Sequence, residues 1–336
     1  MEEKMTRHFH RYILFWLILA IFIPSLSGCD IKNAGQPLSA SAIKLNTFVT
    51  VKIYDNKKQS ILDHCMEMID QYELLFSRTN PDSELYQLNE HQTEADLLSP
   101  SLQELIQIGL DYSSTSSGAF DIAIEPISSL WDFTAEHPVP PDPAAIQAAL
   151  PYVKASGIHL QDGRITFDDP HMGIDLGGIA KGYIADRLKD YLISEGVNSA
   201  MINLGGNVLC VGTKPDGSPF EIGIQKPFSE RNEVITTIPV TDQSVVSSGV
   251  YERYFDYEGV RYHHLLDPAT GYPVKNDLLE VTILSDQSVD GDALSTTCFV
   301  LGLQKGMELI ESLPGVEAMF ITDDNQLHYS SGFPKM

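Results

Sequence analysis

The segment DGDALSTT, residues 290–297, places hard oxygen ligands at helical spacing. If a helix begins near Asp292, then Asp292 and Thr296 are four residues apart and share one face, with Ser295 beside them. One carboxylate and two hydroxyl oxygens suit Mg²⁺ or Ca²⁺ better than zinc. The alternative is that Asp290 or Asp292 only caps the helix.

A second segment, DLGGIAKGY (175–183), places a glycine pair before a helix expected over about 179–195. Glycines let the backbone approach a ligand closely, and the first turn of a helix offers free N–H groups to an anion. Lys181 could meet a phosphate, whereas the carbonyl of Gly178 could face a cation. The alternative is an ordinary tight turn with Lys181 in solvent.

Two further segments carry reactive or small polar groups at the ends of expected strands. In HHLLDPATGYP (263–273), His264 precedes an Asp-Pro turn and could act as a general base near neutral pH. In SVVSSGVYERYF (244–255), Ser248 and Gly249 end a strand-like run, so a ligand-binding turn and an ordinary loop are both open. A purely structural role for His264 is also open.

Charge and motifs exclude several classes of protein. The net charge of −24 argues against nucleic acid as a partner, since that function needs clustered basic residues. The sequence contains no GxGxxG, GxxxxGK[ST], HExxH or GxSxG motif, which argues against Rossmann, P-loop, zincin and α/β-hydrolase chemistry. Beyond residue 29, only Cys65, Cys210 and Cys298 remain, each among apolar neighbours, and we expect them to be small core residues.

The N-terminal region is typical of an exported lipoprotein. Three basic residues precede the apolar run at 12–23, and LSGC (26–29) resembles a lipobox in which Cys29 is lipidated. We therefore expect a signal peptide at 1–28, and a lipidated Cys29 with a polar tether at 29–44. Removal of 1–28 deletes three bases and two acids and changes the charge from −24 to −25. The protein would be anchored to the cell membrane and face the extracytoplasmic side.

Mixed helices and strands that do not alternate predict an α+β fold over residues 45–336. Strand-like alternation occurs at 47–55, and helical spacing occurs at 60–77 and after the cap-like Ser99. Residues 118–133 look extended. A hairpin is expected around Asp162-Gly163, and further strands and one or more C-terminal helices follow residue 199.

Six motifs together resemble one family. GAFD, DLGGIAKGY, INLGGN, SSGVYER, HHLLDPATG and DALSTT occur in the order seen in the ApbE family, the FAD:protein FMN transferases, and the resemblance covers about residues 45–325. It implies a single compact ApbE-like, T-fold-related catalytic domain. It also implies that FAD is cleaved at its pyrophosphate, that FMN is joined by a phosphoester to Ser or Thr of an acceptor protein, and that AMP is released with the help of Mg²⁺.

The resemblance also implies roles for individual residues. The metal ligands would be the carbonyl of Gly178 with Asp292 and Thr296, and Ser295 occupies a position that is a ligand Asp in some members. Catalysis would rest on Asp292 and on His264, the latter as the base for the acceptor hydroxyl. The implied FAD contacts are Leu45, Thr79, Trp131, Asp132, Phe133, Asp175, Lys181, Ser248, Gly249, His264 and Leu266.

The chain departs from the family pattern at three positions. Leu45 and Thr79 stand where Met and Tyr are common, and Glu125 replaces a usual Gly. These differences concern individual flavin contacts and one local turn. Two other functions stay open: an Mg²⁺-dependent pyrophosphatase that splits FAD into FMN and AMP, and a flavin-binding lipoprotein without catalysis.

Overall fold

The computed structural model describes residues 36–90, 97–229 and 233–334. The compact unit that contains almost all of them begins at Pro37. The predicted signal peptide and Cys29 lie outside the described residues. Within those three ranges no helix combines the length and the apolar character needed to cross a bilayer.

An eight-stranded sheet forms the centre of the fold, with the strand order β1-β2-β5-β6-β9-β12-β13-β14. Its neighbouring strands pair antiparallel throughout. Three two-stranded ribbons, β3-β4, β7-β8 and β10-β11, accompany it. This architecture confirms the α+β class. The strands are β1 Leu38–Lys44, β2 Thr47–Ile53, β3 Ile158–Gln161, β4 Arg164–Phe167, β5 Ser199–Leu204, β6 Asn207–Gly212, β7 Phe220–Gln225, β8 Val234–Val240, β9 Ser244–Gly249, β10 Tyr254–Tyr257, β11 Val260–His263, β12 Leu278–Ser285, β13 Glu317–Thr322 and β14 Leu327–Tyr329.

Strand β1 corrects the expected extent of the tether. Residues 38–44 were expected to belong to a polar tether, but they pair along their whole length with β2. Leu38, Ala40 and Ala42 alternate with more polar residues and pack against the main core. This alternation of apolar and polar side chains favours a strand, although the composition of the segment is that of a linker. The folded domain therefore starts earlier than residue 45.

Seven α-helices occur in the described ranges. The helices expected at 60–77, after Ser99 and at 179–195 are all present, although the Ser99 hydroxyl makes no capping hydrogen bond. The prediction of an extended segment at 118–133 is wrong. There Asp121 starts a 3₁₀ turn by accepting from the Ala123 N–H, and Pro126 favours the helical turn that follows. The helices are α1 Gln59–Phe76, α2 Glu84–Asn89, α3 Pro100–Thr115, α4 Glu125–Ser128, α5 Pro143–Ala149, α6 Ala180–Ser194 and α7 Ser288–Glu311, with α7 broken at Gly302.

Helices α6 and α7 are held together at their first turns. A Cβ on Gly182 would lie 2.3 Å from the carbonyl oxygen of Ser288, so only glycine allows this approach. Asp186 accepts hydrogen bonds from the N–H groups of Ser288 at 2.8 Å and Val289 at 2.9 Å. A carboxylate supplied by α6 therefore caps the start of α7.

Candidate active site

The hydroxyl groups predicted to bind a metal lie where strand β9 meets helix α7. The Ser248 hydroxyl is 2.8 Å from the Ser295 hydroxyl and 3.5 Å from the Thr296 hydroxyl. Because α7 begins at Ser288, Asp292 lies inside the helix and does not cap it. Asp292 and Thr296 therefore share one face, as the spacing predicted.

The Asp292 carboxylate is buried and is oriented by helix α6. Its Oδ2 accepts a hydrogen bond of 2.6 Å from the N–H of Gly182. Burial raises the pKa of Asp292, and the positive charge of Lys181 together with the Gly182 hydrogen bond opposes that rise. The DLGGIAKGY and DALSTT segments, more than 100 residues apart, thus form one cluster.

The turn before α6 is fixed by Asp175. Its Oδ1 accepts from the Gly177 N–H at 2.8 Å, and its Oδ2 accepts from the Ser128 hydroxyl at 2.6 Å and lies 3.1 Å from Nε of Arg78. A Cβ on Gly178 would lie 2.9 Å from the Phe120 ring, so a larger residue would disturb the turn that carries the Gly178 carbonyl.

Arg78 was not identified from the sequence. It lies between two carboxylates, 3.1 Å from Asp175 and 4.0 Å from Glu125. Burial is the main reason that the pKa of Glu125 is raised, and Arg78 opposes the shift. Glu125, which replaces a glycine common in the family, therefore has an ion-pair partner. Arg78 also links the exposed residue next to it in sequence, Thr79, to the turn that contains Asp175.

His264 follows strand β11 and is held by the loop before β10. Its N–H donates to the carbonyl of Arg253 at 3.1 Å, and its Nδ1 lies 3.3 Å from the same oxygen. The ring is surrounded by protein but keeps part of its surface open to solvent. Burial, followed by the positive charge of Arg253, lowers the pKa of His264. The ring is therefore neutral at physiological pH and can accept a proton.

Two acidic residues near this cluster were missed by the sequence reasoning. Crowding by protein atoms raises the pKa of Glu252 to about 7, although the residue keeps exposed surface, and the charge of Lys181 opposes the rise. Glu280 is fully buried and accepts hydrogen bonds from the hydroxyls of Tyr251 at 2.7 Å and Thr282 at 2.9 Å. Glu280 could have been found from the sequence, because it is the single acidic residue in the largely apolar strand β12.

Lys181 acts electrostatically on three members of the site. Its positive charge opposes the rise that burial causes in the pKa values of Asp292 and Glu252, and it adds to the lowering of the pKa of His264. Lys181 is half-buried in the first turn of α6, so its charge acts on these groups from the start of the helix. The role of Lys181 as a phosphate ligand stays a prediction.

Three of the predicted FAD contacts, Trp131, Phe133 and Leu266, lie in a separate aromatic cluster. Trp131 is buried, donates from Nε1 to the carbonyl of Gly271 at 3.0 Å, and stacks on Phe133 at 5.6 Å between ring centroids. Leu266 is buried in the same cluster. Asp132 is exposed, and its carboxylate accepts hydrogen bonds from the N–H and the hydroxyl of Thr134, so its side chain belongs to the local turn.

The β1–β2 turn approaches the His264 loop. Leu45 has a positive φ of 53° in this turn and packs against the main core. The carbonyl of its neighbour Asn46 accepts from Arg253 at 3.3 Å. The predicted flavin contact Leu45 therefore lies on an element that touches the loop carrying His264. The described residues contain no group of three or more His, Cys, Asp or Glu that could hold a metal.

Comparison with known proteins gives concordant results. The model of the ApbE family matches residues 45–320. A protein of Treponema pallidum (strain Nichols) named FAD:protein FMN transferase is 32% identical, over 95% of this chain and 94% of the relative. A protein of the same name from Klebsiella pneumoniae (strain 342) is 35% identical, over 87% and 92%. The crystal structure of the ApbE protein from Thermotoga maritima has a TM-score of 0.81 at 29% identity, over 88% of this chain and 97% of that one.

Proposed function

The chain belongs to the ApbE family, and from this premise we propose that it transfers FMN from FAD to a Ser or Thr hydroxyl of an acceptor protein, releases AMP and uses Mg²⁺. FMN transfer agrees with the names of its relatives and with the flavin transferase of Vibrio cholerae, whose fold it shares at a TM-score of 0.79. One observation carries the chemistry: the buried Asp292 carboxylate, fixed by the Gly182 N–H, shares a helix face with Thr296, whose hydroxyl lies beside those of Ser248 and Ser295.

The residues present fit a magnesium ion. Asp292, Thr296 and Ser295 supply hard oxygen atoms, and the burial of Asp292 raises the cost of leaving its charge without a cation. Mg²⁺ is commonly held by one or two carboxylates together with substrate phosphates, so a small protein ligand set is sufficient. The Gly178 carbonyl would complete the set. When bound, the ion would stabilise the charge that develops on the pyrophosphate during phosphoryl transfer.

His264 is the best-placed base for the acceptor hydroxyl. Its Nδ1 lies 3.3 Å from the Arg253 carbonyl, so the proton of the neutral ring is on Nδ1 and Nε2 keeps its lone pair. The hydroxyl oxygen then bonds to the phosphorus on the FMN side, the P–O bond to the AMP side breaks, and the hydroxyl proton passes to Nε2. AMP leaves with the bridging oxygen.

The remaining site residues hold the substrate. The charge of Lys181 acts on the acidic groups of the cluster, and its ammonium group would bind FAD phosphate oxygens. Asp175, held by Arg78 and Ser128, would hold the flavin side, and Trp131 with Phe133 would line the adenosine side. These groups orient FAD so that the acceptor hydroxyl meets the phosphorus in line.

A pyrophosphatase would use the same site with water in place of the acceptor hydroxyl, and one assay separates the functions. The full chain is incubated with FAD, Mg²⁺ and an acceptor domain that contains a Ser/Thr-Gly-Ala-Ser/Thr segment, and the acceptor mass and AMP are measured. An acceptor that gains one FMN supports the transferase, and AMP without labelling supports the hydrolase. If neither product forms, both enzyme functions are wrong and a flavin-binding protein remains.

A matched pair of variants tests the metal ligand. We expect Asp292→Asn to abolish Mg²⁺-dependent transfer. Asp290→Asn makes the same substitution in the same helix, but its carboxylate is bound by the Tyr112 hydroxyl at 2.7 Å, and we expect activity to be retained. Equal activity in both variants would overturn the assignment of Asp292.

We further propose that the chain is a lipoprotein, with a signal peptide at 1–28 and a lipidated Cys29 that anchors it to the extracytoplasmic face of the membrane. The proposal is supported by the basic, apolar and LSGC segments of the sequence. Cys29→Ala should release the protein from the membrane fraction of expressing cells. Unchanged fractionation and an unmodified N-terminal peptide mass in the wild type would contradict it.

A further inference from the structure

The β10–β11 ribbon next to His264 has two different faces. Phe255 and Tyr262, a cross-strand pair, pack on one face with the cluster that contains Trp131. Tyr254 and Arg261 lie on the opposite face. On this second face His263 is buried against Phe299, whereas Tyr254 and Arg261 stay at the surface.

The second face carries what we call the aromatic ledge, made of Phe228, Tyr254 and Arg261. The Arg261 guanidinium lies 4.6 Å from the Phe228 ring centroid and 4.4 Å from that of Tyr254, and the two rings are 5.7 Å apart. Asp256 holds Arg261 by two hydrogen bonds of 2.9 and 3.1 Å. The ledge is thus ordered in advance, so that little side-chain entropy would be lost when a partner binds.

The ledge exposes apolar surface that does not stabilise the core. Phe228 is 43% and Tyr254 39% exposed. Phe228 also has a φ of 58°, in the left-handed region that a bulky residue rarely adopts. Strained, exposed aromatic residues of this kind are typical of binding sites, where aromatic and Arg side chains dominate the energy.

The ledge is continuous with the site. Tyr254 directly follows Arg253, whose carbonyl accepts from the His264 N–H. On the other side, the Phe228 ring is 6.1 Å from that of Tyr251, whose hydroxyl donates to Glu280. A polypeptide that brings a hydroxyl to His264 therefore has the ledge directly beside it.

We propose that the aromatic ledge binds the acceptor protein, at the residues that flank the hydroxyl receiving FMN. This inference rests on the proposed transferase function. Because Asp256 pairs with the charge of Arg261, the ledge suits an uncharged segment with an apolar side chain next to the Ser or Thr. The ledge would then determine the affinity for the acceptor, while the site behind it binds FAD.

The test compares a double variant, Phe228→Ala with Tyr254→Ala, with Ile193→Ala. Ile193 is an equally exposed apolar residue at the far end of α6, 50% exposed and about 18 Å along the helix from Lys181. FMN transfer is measured at saturating FAD while the concentration of a Ser/Thr-Gly-Ala-Ser/Thr acceptor domain is raised. We expect the double variant to raise the KM for the acceptor about tenfold, with FAD Kd and release of AMP to water unchanged.

Each other result has a defined meaning. An unchanged KM overturns the proposal, and a parallel loss of FAD affinity would assign the ledge to the flavin subsite. If the double variant loses binding to anionic phospholipid vesicles while the KM for the acceptor stays the same, the ledge faces a membrane. Failure of the wild type to label any acceptor would instead contradict the proposed function. The single variant Tyr254→Phe, which keeps the aromatic ring, should have the wild-type KM for the acceptor, and this would show that the ring contact is responsible.

Discussion

Gly182→Ala should damage both the fold and the site because Gly182 lies where helices α6 and α7 touch. The new Cβ would lie 2.3 Å from the Ser288 carbonyl oxygen and 2.6 Å from the Val289 Cα, both backbone atoms that cannot turn away. Ordinary contact begins at 3.4 Å, so the helices must separate by roughly 1 Å. That movement lengthens the bond from the Gly182 N–H to Asp292.

The magnitude follows from three opposing contributions. Overpacking costs about 1–3 kcal/mol, and a weakened hydrogen bond to a buried charge costs about 1.5–3 kcal/mol. Replacing glycine by alanine inside a helix returns about 1 kcal/mol. We therefore expect a net loss of about 3 kcal/mol in the free energy of unfolding, or a fall in Tm of roughly 5–10 °C for a domain of this size. We also expect the Mg²⁺ concentration needed for half-maximal transfer to rise.

Gly109→Ala is the matched control. Gly109 lies in the middle of α3, and its Cβ would meet side-chain atoms of Ile122 and Ile179. Side chains can adjust where backbone cannot, so we expect a smaller loss of stability and no change in the Mg²⁺ dependence. Thermal unfolding and Mg²⁺ titrations of transfer measure both effects. Equal stability and equal Mg²⁺ dependence in the two variants would refute the reasoning about the α6–α7 contact.

Three further predictions concern individual side chains. His264→Ala should reduce transfer at least 100-fold. Because the pKa of His264 is lowered, the wild-type pH–rate profile should show no inflection from this residue between pH 6 and 8, and an inflection there that the variant removes would contradict this. Burial raises the pKa of Asp186 from 3.8 to about 6, so its contribution to stability is present below pH 4 and is lost as pH rises through 6. The Tm difference between wild type and Asp186→Asn should therefore change between pH 4 and pH 6, and a constant difference would contradict this expectation. Arg78→Ala should weaken FAD binding in a fluorescence titration, and its effect should be smaller in an Asp175→Ala background because Arg78 acts through Asp175; strictly additive effects would argue for an independent role.

The fold was predictable from the sequence wherever a local period was strong. Helix α1 has apolar residues on one face, and the Asp162-Gly163 hairpin has residues suited to left-handed turn positions, so both could be placed correctly. Strand β1 was missed because alternating Ser and Ala have the composition of a linker, and its partner strand supplies most of the stabilising contacts. Residues 118–133 were misread because Pro126 permits a helical turn that apolar alternation does not indicate.

The site was predictable only where its members lie close in sequence. Asp292 and Thr296 share a face because of helical spacing, and this was confirmed by the position of α7. The pairing of Arg78 with Asp175 joins residues almost 100 positions apart, and no local pattern reports such a contact. Crowding by neighbouring protein atoms likewise raises the pKa of Glu252, and a single sequence does not show which loops will crowd around a side chain.

The sheet order has a consequence for biosynthesis. Its strands occur along the sheet in nearly the order in which they occur in the chain, so the sheet can extend from the N-terminal edge as each strand becomes available. Helix α7, which carries Asp292, Ser295 and Thr296, follows β12 and is among the last elements to emerge. A chain released before this helix is complete lacks these groups, however much of the sheet has formed. The proposed FAD site would therefore be assembled only in an almost complete polypeptide.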